Sequence, residues 1–292
     1  MTLLFANDYR ENPVLRKSLS RLAESVFGIS FEEWYEKGYW TDKYNPYSFI
    51  AGDKVVSNVS VNKIGLIVEG KYRKGLQIGT VMTHPDYRGQ GLSRLLMERV
   101  LREFKGKYDL MYLFANDSVL GYYPKFGFNE TRETVFSTFF AGGGAGDSSV
   151  RRLDMDNGGD RELLYHFAKK RIPVSRTFAT TETAELLMFY CLSVFRERIF
   201  YLEDENCIVI YGEKGEEMEI YDILTMAKVD MSSVLSKIPR TGAIKIIFHF
   251  TPGQIGHQVA CSPIIKSETL FVRYGNDFAL PEQFKHPLTS QA

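Results

Sequence analysis

The sequence predicts an α/β (α+β) protein of two units, each a mixed, mostly antiparallel sheet flanked by helices, and three observations carry that expectation. Residues 77–101 pass from a β-branched apolar run (Ile78, Thr80, Val81, Thr83) to helical apolar spacing (Leu92, Leu96, Val100), across a break at His84-Pro85 and two glycines, Gly89 and Gly91. Upstream, short apolar runs separated by turn residues predict consecutive antiparallel hairpins. Downstream of a glycine- and serine-rich stretch at 141–149, the order of helices, antiparallel strands, loop, helix and strand recurs in worn form.

The elements follow in order. Asn12-Pro13 is a helix start, a cap followed by Pro at the first helical position, with Leu15, Leu19, Leu22 and Val26 on one face and Gly28 as the stop. Ser30 and Glu33 predict a capping box for a second helix, with Ile29 and Trp34 as its hydrophobic staple. Aromatic residues crowd this region. Strands are expected at 47–51, 54–61, 64–70 and 77–83, then a helix from Leu92, a strand at 109–115 and a strand ending near Phe140. In the second half, 162–169 and 184–195 read as helices and 199–202, 207–211 and 218–224 as strands. Asp230 caps a short helix to Ile238, and 243–250 is a further strand. Residues 141–149 cannot hold a packed element and are expected to separate a unit of 1–142 from one of 150–292.

A chain of 292 residues suits two medium domains. Lys plus Arg and Asp plus Glu number 36 each, so no net field favours nucleic acid or an anionic membrane as partner. No basic leader and no apolar run of membrane-spanning length is evident, and a soluble cytoplasmic protein, monomer or homodimer, is expected. Three cysteines (Cys191, Cys207, Cys261) without C-x-x-C spacing and five scattered histidines predict neither a disulfide framework nor a metal site. The sequon Asn58-Val59-Ser60 matters only in a secreted protein.

The chemistry is concentrated at 77–101. Gly89 and Gly91 let backbone N–H groups of the loop and the new helix approach a bulky anion, which the helix dipole also favours. There is no GK[ST] and no G-x-G-x-x-G here, which excludes the familiar nucleotide loops. What stands is R-x-x-G-x-S, Arg88 to Ser93, and downstream GYYPKFGF at 121–128.

These two stretches resemble the signatures of the GNAT superfamily of acyl-CoA-dependent N-acyltransferases. The resemblance covers about the first half of the chain, and Ser93 replaces the usual final Gly or Ala. It implies acetyl-CoA as cosubstrate, gripped by Arg88, Gly89, Gln90, Gly91, Leu92, Ser93 and Arg94, although Arg94 fits a solvated helix face equally well. Backbone N–H groups of Val81, Met82 and Thr83 would meet the thioester oxygen. Asn116 would contact the pantetheine arm, and the phenol of Tyr123 would face the sulfur as general acid, with Tyr122 as fallback. Trp34, Tyr35, Tyr39 and Trp40 would shape the acceptor pocket, the other reading being core packing. No metal is implied.

Gln77 occupies the strand position that carries a catalytic Glu in some members, and an amide cannot accept a proton at neutral pH. Water, Glu32, Glu33, Glu36, Asp42, His84 or a terminal carboxylate at Ala292 are the substitutes. The acceptor is expected to be a small-molecule or peptide amine. In the second half, 225–231 (TMAKVDM) stands where the first has YRGQGLS. It lacks glycine and carries Asp230, so this unit resembles the degenerate domain of tandem GNAT proteins and should not bind CoA. A catalytically silent acetyl-CoA sensor is the competing reading, favoured by Gln77 and opposed by Tyr123. An interaction protein holding a peptide on the aromatic helix leaves the phosphate loop without a purpose.

Overall fold

The computed structural model describes residues 2–140, 149–215, 217–238, 244–254, 259–263 and 268–292. Strand β1 (Leu3–Asn7) is followed by helices α1 (Pro13–Phe27) and α2 (Glu32–Glu36) and strands β2 (Tyr44–Ala51), β3 (Lys54–Val68) and β4 (Lys71–Thr83). Helix α3 (Leu92–Glu103) leads to β5 (Leu110–Asn116), β6 (Asn129–Thr131) and β7 (Thr134–Phe140). Next come β8 (Val150–Arg152), α4 (Gly158–Lys170), β9 (Phe178–Thr181), α5 (Ala184–Ser193), β10 (Ile199–Leu202) and β11 (Cys207–Lys214). The chain continues through β12 (Glu217–Thr225), α6 (Met231–Lys237), β13 (Ile244–Phe248), β14 (Ala260–Pro263) and β15 (Glu268–Tyr274).

Helix α1 starts and stops on local chemistry. The Asn12 side chain accepts from the Val14 and Leu15 N–H groups, Pro13 opens the helix, and Gly28 closes it in the left-handed conformation with its N–H on the Glu24 carbonyl. The expected capping box at Ser30 and Glu33 does not form. Helix α2 begins at Glu32 after Phe31, and the Ser30 hydroxyl, 3.1 Å from Ser20 Oγ, accepts from the Glu32 N–H at 3.4 Å and not from Glu33. The strands expected at 54–61 and 64–70 are one strand, β3. Asn62 and Lys63 supply no turn, and both stay in register with Gln77 and Leu76 of β4. Residues 141–148 of the expected linker lie outside the described residues.

Two mixed, mostly antiparallel sheets flanked by helices result. The first runs β1-β2-β3-β4-β5-β15-β6, with β9 paired to β3, and the second runs β14-β7-β13-β12-β11-β10-β8. The parallel neighbours are β4–β5 and β12–β13. Hydrogen bonding crosses the sequence division: β7 lies between β13 and β14 of the second sheet, and β15 lies between β5 and β6 of the first. Each half of the chain therefore completes the other's sheet. A shared apolar core reinforces the exchange, joining Leu19, Trp34 and Trp40 to Leu164, Leu187 and Ile210.

The C-terminal segment is bound into both sheets. Lys285 and Glu133, each almost wholly buried, form an ion pair at 2.7 Å, and the His286 ring meets the Tyr112 hydroxyl at 2.9 Å. Farther on, the Leu288 N–H reaches the His249 carbonyl, and Thr289 donates to Asp222, which also accepts from the two terminal nitrogens of Arg171. The segment thus bridges β12 and the chain leaving β13 before it reaches β4. Among the described residues no helix is long and apolar enough to cross a membrane, and no three His, Cys, Asp or Glu side chains are placed to hold a metal ion.

Candidate active site

Strands β4 and β5 pair only over Gly75–Gln77 and Leu110–Tyr112 and then separate. The separation opens a cavity of about 700 Å³, within the usual range for ligand sites. One wall is β4 from Ile78 to Thr83 and the other is β5 from Leu113 to Asn116, with Arg88, Ser93, Tyr122 and Tyr123 also lining it. Val26, Phe27, Ile29, Tyr190, Glu268, Gln291 and Ala292 belong to the lining as well.

Strand β4 is not regular along this wall. Ser60 pairs with Gly79 but Asn58 with Met82, where an unbroken ladder would bring Val81, so β4 carries one extra residue as a bulge. Thr80 sits there with φ of +43°, a left-handed conformation that costs a non-glycine residue about 1–3 kcal/mol.

The loop after β4 is built for an anion. His84 is used structurally, its Nδ1 accepting from the Asp86 N–H at 3.3 Å. Gly89 and Gly91 have φ of +76° and +74°, and nothing lies within 4 Å of where a Cβ would stand on either. Gly91 caps α3 without a side chain, leaving first-turn N–H groups of this 12-residue helix for a ligand. Arg88 lines the cavity with its Nε on the Thr83 carbonyl at 3.2 Å, and Gln90 reaches the Asp86 carbonyl. Arg94 pairs with Glu98 at 2.8 Å and is largely solvated, beside a recess it shares with Tyr122 and Lys125.

Tyr123 is buried against Phe128 and against Phe271 of β15, and its hydroxyl makes no hydrogen bond among the described residues. Burial raises its pKa well above the usual phenol range, so the hydroxyl keeps its proton. Tyr122 donates to Ser93 Oγ at 3.2 Å, which commits it to the α3 terminus. Asn116 lines the cavity and turns its carbonyl to Ser118.

Gln77 is fully buried, off the cavity wall. Its amide donates to the Ser290 carbonyl and accepts from the Ala292 N–H, each at 2.9 Å. Ala292 lies so close to Gly79 that a Cβ there would stand 2.6 Å from its carbonyl carbon. Glu32, Glu33, Glu36 and Asp42 do not line the cavity; Glu32 pairs with Arg16 and Glu33 with Arg196. Among the described lining residues Glu268 is the acidic side chain.

Trp34, Tyr35, Tyr39 and Trp40, expected around the acceptor, do not line this cavity. Trp34 and Trp40 stack at 5.8 Å within the core, the Trp34 indole donates to the Glu185 carbonyl of α5, and Tyr39 packs on Tyr165. Tyr35 lies under Arg16. Burying a Trp contributes about 4–6 kcal/mol of gross transfer energy, which a solvent-lined pocket would forfeit. Lining residues that sequence reasoning missed, Tyr190 and Glu268 among them, come from elements with no local motif. The apolar run at 270–272 could have revealed β15 but not its place in the sheet.

The second sheet opens a recess of about 570 Å³ beside 225–231, lined by Arg176, Lys228, Met231 and Pro252 among others. At that loop Asp230 caps α6 by accepting from the Ser232 N–H. A carboxylate therefore stands where α3 presents open N–H groups.

Residues 17–131 match the family model of the acetyltransferase (GNAT) domain. The matched span contains the cavity's β4 and β5 walls, the glycine loop and Tyr123. The fold resembles that of a protein of unknown function from Enterococcus faecalis described as a probable N-acyltransferase, with TM-score 0.64 and 15% identity over 94% of this chain and 73% of that one. It also resembles a GCN5-related N-acetyltransferase from Kribbella flavida (TM-score 0.58, 16% identity, 94% and 72% covered). A third likeness is to Eis1 from Mycobacterium abscessus (TM-score 0.58, 12% identity, 94% and 74% covered). At such identities the likeness is one of fold. No curated protein sequence matches the chain.

Proposed function

We propose that the chain transfers an acetyl group from acetyl-CoA to a primary amine by direct attack in the β4–β5 gap. One observation carries the reading: a single cavity is lined by Arg88 and Ser93, which flank the open glycines at a helix N-terminus, and by a protonated phenol whose hydroxyl makes no hydrogen bond among the described residues. Acetyl-CoA supplies an activated acyl group and a thiolate leaving group. The residues present fit it. N–H groups from Gly89 to Arg94, with Arg88, hold the pyrophosphate, and charged hydrogen bonds of about 1.5–3 kcal/mol each make micromolar affinity reachable with a few of them.

The unpaired β4 edge from Val81 to Thr83 offers N–H groups to the carbonyl oxygen as it gains charge. Tyr123 donates to the departing sulfur, stabilising it and protonating it in part, since a phenol is a weaker acid than a thiol. The amine enters from the Phe27, Tyr190 and Glu268 side. It sheds its proton to water or to an acceptor-side group, because the strand position that could hold a base is the amide of Gln77. The test is incubation of the purified protein with acetyl-CoA and a panel of amines while following free thiol. Amine-dependent thiol release supports the reading; tight acetyl-CoA binding with no release would leave a silent sensor.

A further inference from the structure

The bulge at Thr80 is held by side chains from the neighbouring strands. Asn58 is fully buried and uses its whole amide: its oxygen accepts from Ser48 Oγ at 2.8 Å, and its nitrogen donates to Ser60 Oγ and to the Thr80 carbonyl, each at 2.9 Å. Ser60 in turn donates to the Tyr44 hydroxyl, which meets Thr80 Oγ1 at 2.8 Å. Burial pushes the Tyr44 phenol up to about 12, which keeps it a donor. Thr80 is thus grasped at both its carbonyl and its side chain. The triplet Asn58-Val59-Ser60, a sequon in the sequence, is one half of that grasp and is closed to solvent.

The grasp has a geometric consequence. Successive N–H groups of a strand point to opposite edges, so one inserted residue reverses which of the following N–H groups face the β3 ladder and which face the β5 gap. We infer that Asn58 and Tyr44 are positioning residues for acyl transfer: by holding Thr80 left-handed they fix the register of Val81–Thr83 and so aim this edge's N–H groups at the thioester oxygen. Neither side chain lines the cavity. The inference rests on the acyl-transfer reading of the gap. It adds to that reading an account of why a threonine, where glycine is the easier residue, occupies the left-handed position.

The test reads the thioester directly. Acetyl-CoA labelled with carbon-13 at its carbonyl is bound to the wild type, and the carbonyl stretch is recorded beside acetyl-CoA affinity and kcat. A carbonyl polarised by N–H donors absorbs at lower frequency than in buffer. Tyr44→Phe and Asn58→Leu are expected to move the band back toward its buffer position and to lower kcat by about 10–100-fold, with acetyl-CoA affinity within about threefold. Adding Thr80→Gly to Asn58→Leu is expected to restore the band and most of the rate, because glycine adopts the left-handed conformation unaided. A merely structural role would not respond to that rescue. If Asn58→Leu does not fold, Tyr44→Phe, which removes one oxygen, decides alone. An unchanged band and kcat in the folded variants, or a loss that Thr80→Gly does not relieve, would overturn the inference. A wild type that binds acetyl-CoA with its band at the buffer position and releases no thiol would overturn the transferase reading, and the inference with it.

Discussion

The side chain of Gln77 holds the backbone of Ala292: its amide oxygen accepts the Ala292 N–H at 2.9 Å while its nitrogen donates to the carbonyl of Ser290. An amide supplies a donor and an acceptor side by side, which a carboxylate at neutral pH does not. The residue that replaces a catalytic acid by family resemblance is therefore engaged in anchoring the C-terminal segment at the cavity.

Gln77→Glu tests that engagement through pH. A buried carboxyl at this position should have its pKa raised by desolvation, and its protonated form reproduces the donor and acceptor of glutamine. The native state then binds the proton more tightly than the unfolded chain. Stability relative to wild type should be close to unchanged below about pH 4.3 and should fall as pH rises to the folded pKa. Thermal unfolding at several pH values measures this; a variant as stable as wild type at pH 8 would show that the Ser290 carbonyl does not need a donor.

Breaking the Lys285–Glu133 pair is expected to cost about 3–5 kcal/mol, because Glu133→Gln removes the carboxylate that faces a buried ammonium at 2.7 Å. Replacing both partners, as Glu133→Leu with Lys285→Met, should recover much of that loss. Denaturant unfolding of the two singles and the double gives the coupling, and additive losses would mean that the pair does not act as a unit.

Gly91→Glu should abolish acetyl-CoA binding, since the open space of the cradle would receive a side chain of the ligand's own charge, at a φ that glycine alone tolerates well. Calorimetry on the wild type should give one site per chain, because Asp230 stands at the corresponding helix start of the second sheet. Unchanged affinity in the variant would move the site elsewhere, and a second site of similar affinity would mean that the 225–231 loop also binds CoA.

The acceptor preference follows from the missing strand carboxylate. At pH 7 an α-amine is about one-tenth neutral and a lysine-like amine only about one part in a few thousand, a gap of more than about 3 kcal/mol. Low-pKa amines are expected to react best, with kcat/KM rising with pH until the free amine titrates. A profile that flattens near pH 6 with a lysine-like substrate would reveal a stronger base at the cavity, where Glu268 and Ala292 are the residues in place.

The parts of the molecule that were legible in sequence are the locally determined ones. Gly89 and Gly91, Arg88, the strand before them and α3 after them are fixed by neighbours in the chain, as are the Asn12 and Asp230 caps. What was not legible depends on distant partners. Strand β15 finds its place beside β5, more than 150 residues upstream, and β7 crosses to the second sheet. Trp34 reads as a pocket residue until α5 supplies the Glu185 carbonyl to its indole. The capping box at Ser30 fails where its hydroxyl meets Ser20, 10 residues upstream, and the Glu32 N–H in place of that of Glu33. Glu268 and Ala292 reach the cavity only through these non-local pairings, which no short motif encodes.

Tyr123→Phe tests the central claim most directly. The hydroxyl has no partner in the fold among the described residues, so its removal should leave acetyl-CoA affinity and thermal stability nearly unchanged. Amine-dependent thiol release should fall by about 100-fold or more, as expected for loss of a general acid. Wild-type release in a variant that binds acetyl-CoA normally would contradict the assignment of the β4–β5 gap as the place where the acyl group is transferred with Tyr123 facing the sulfur.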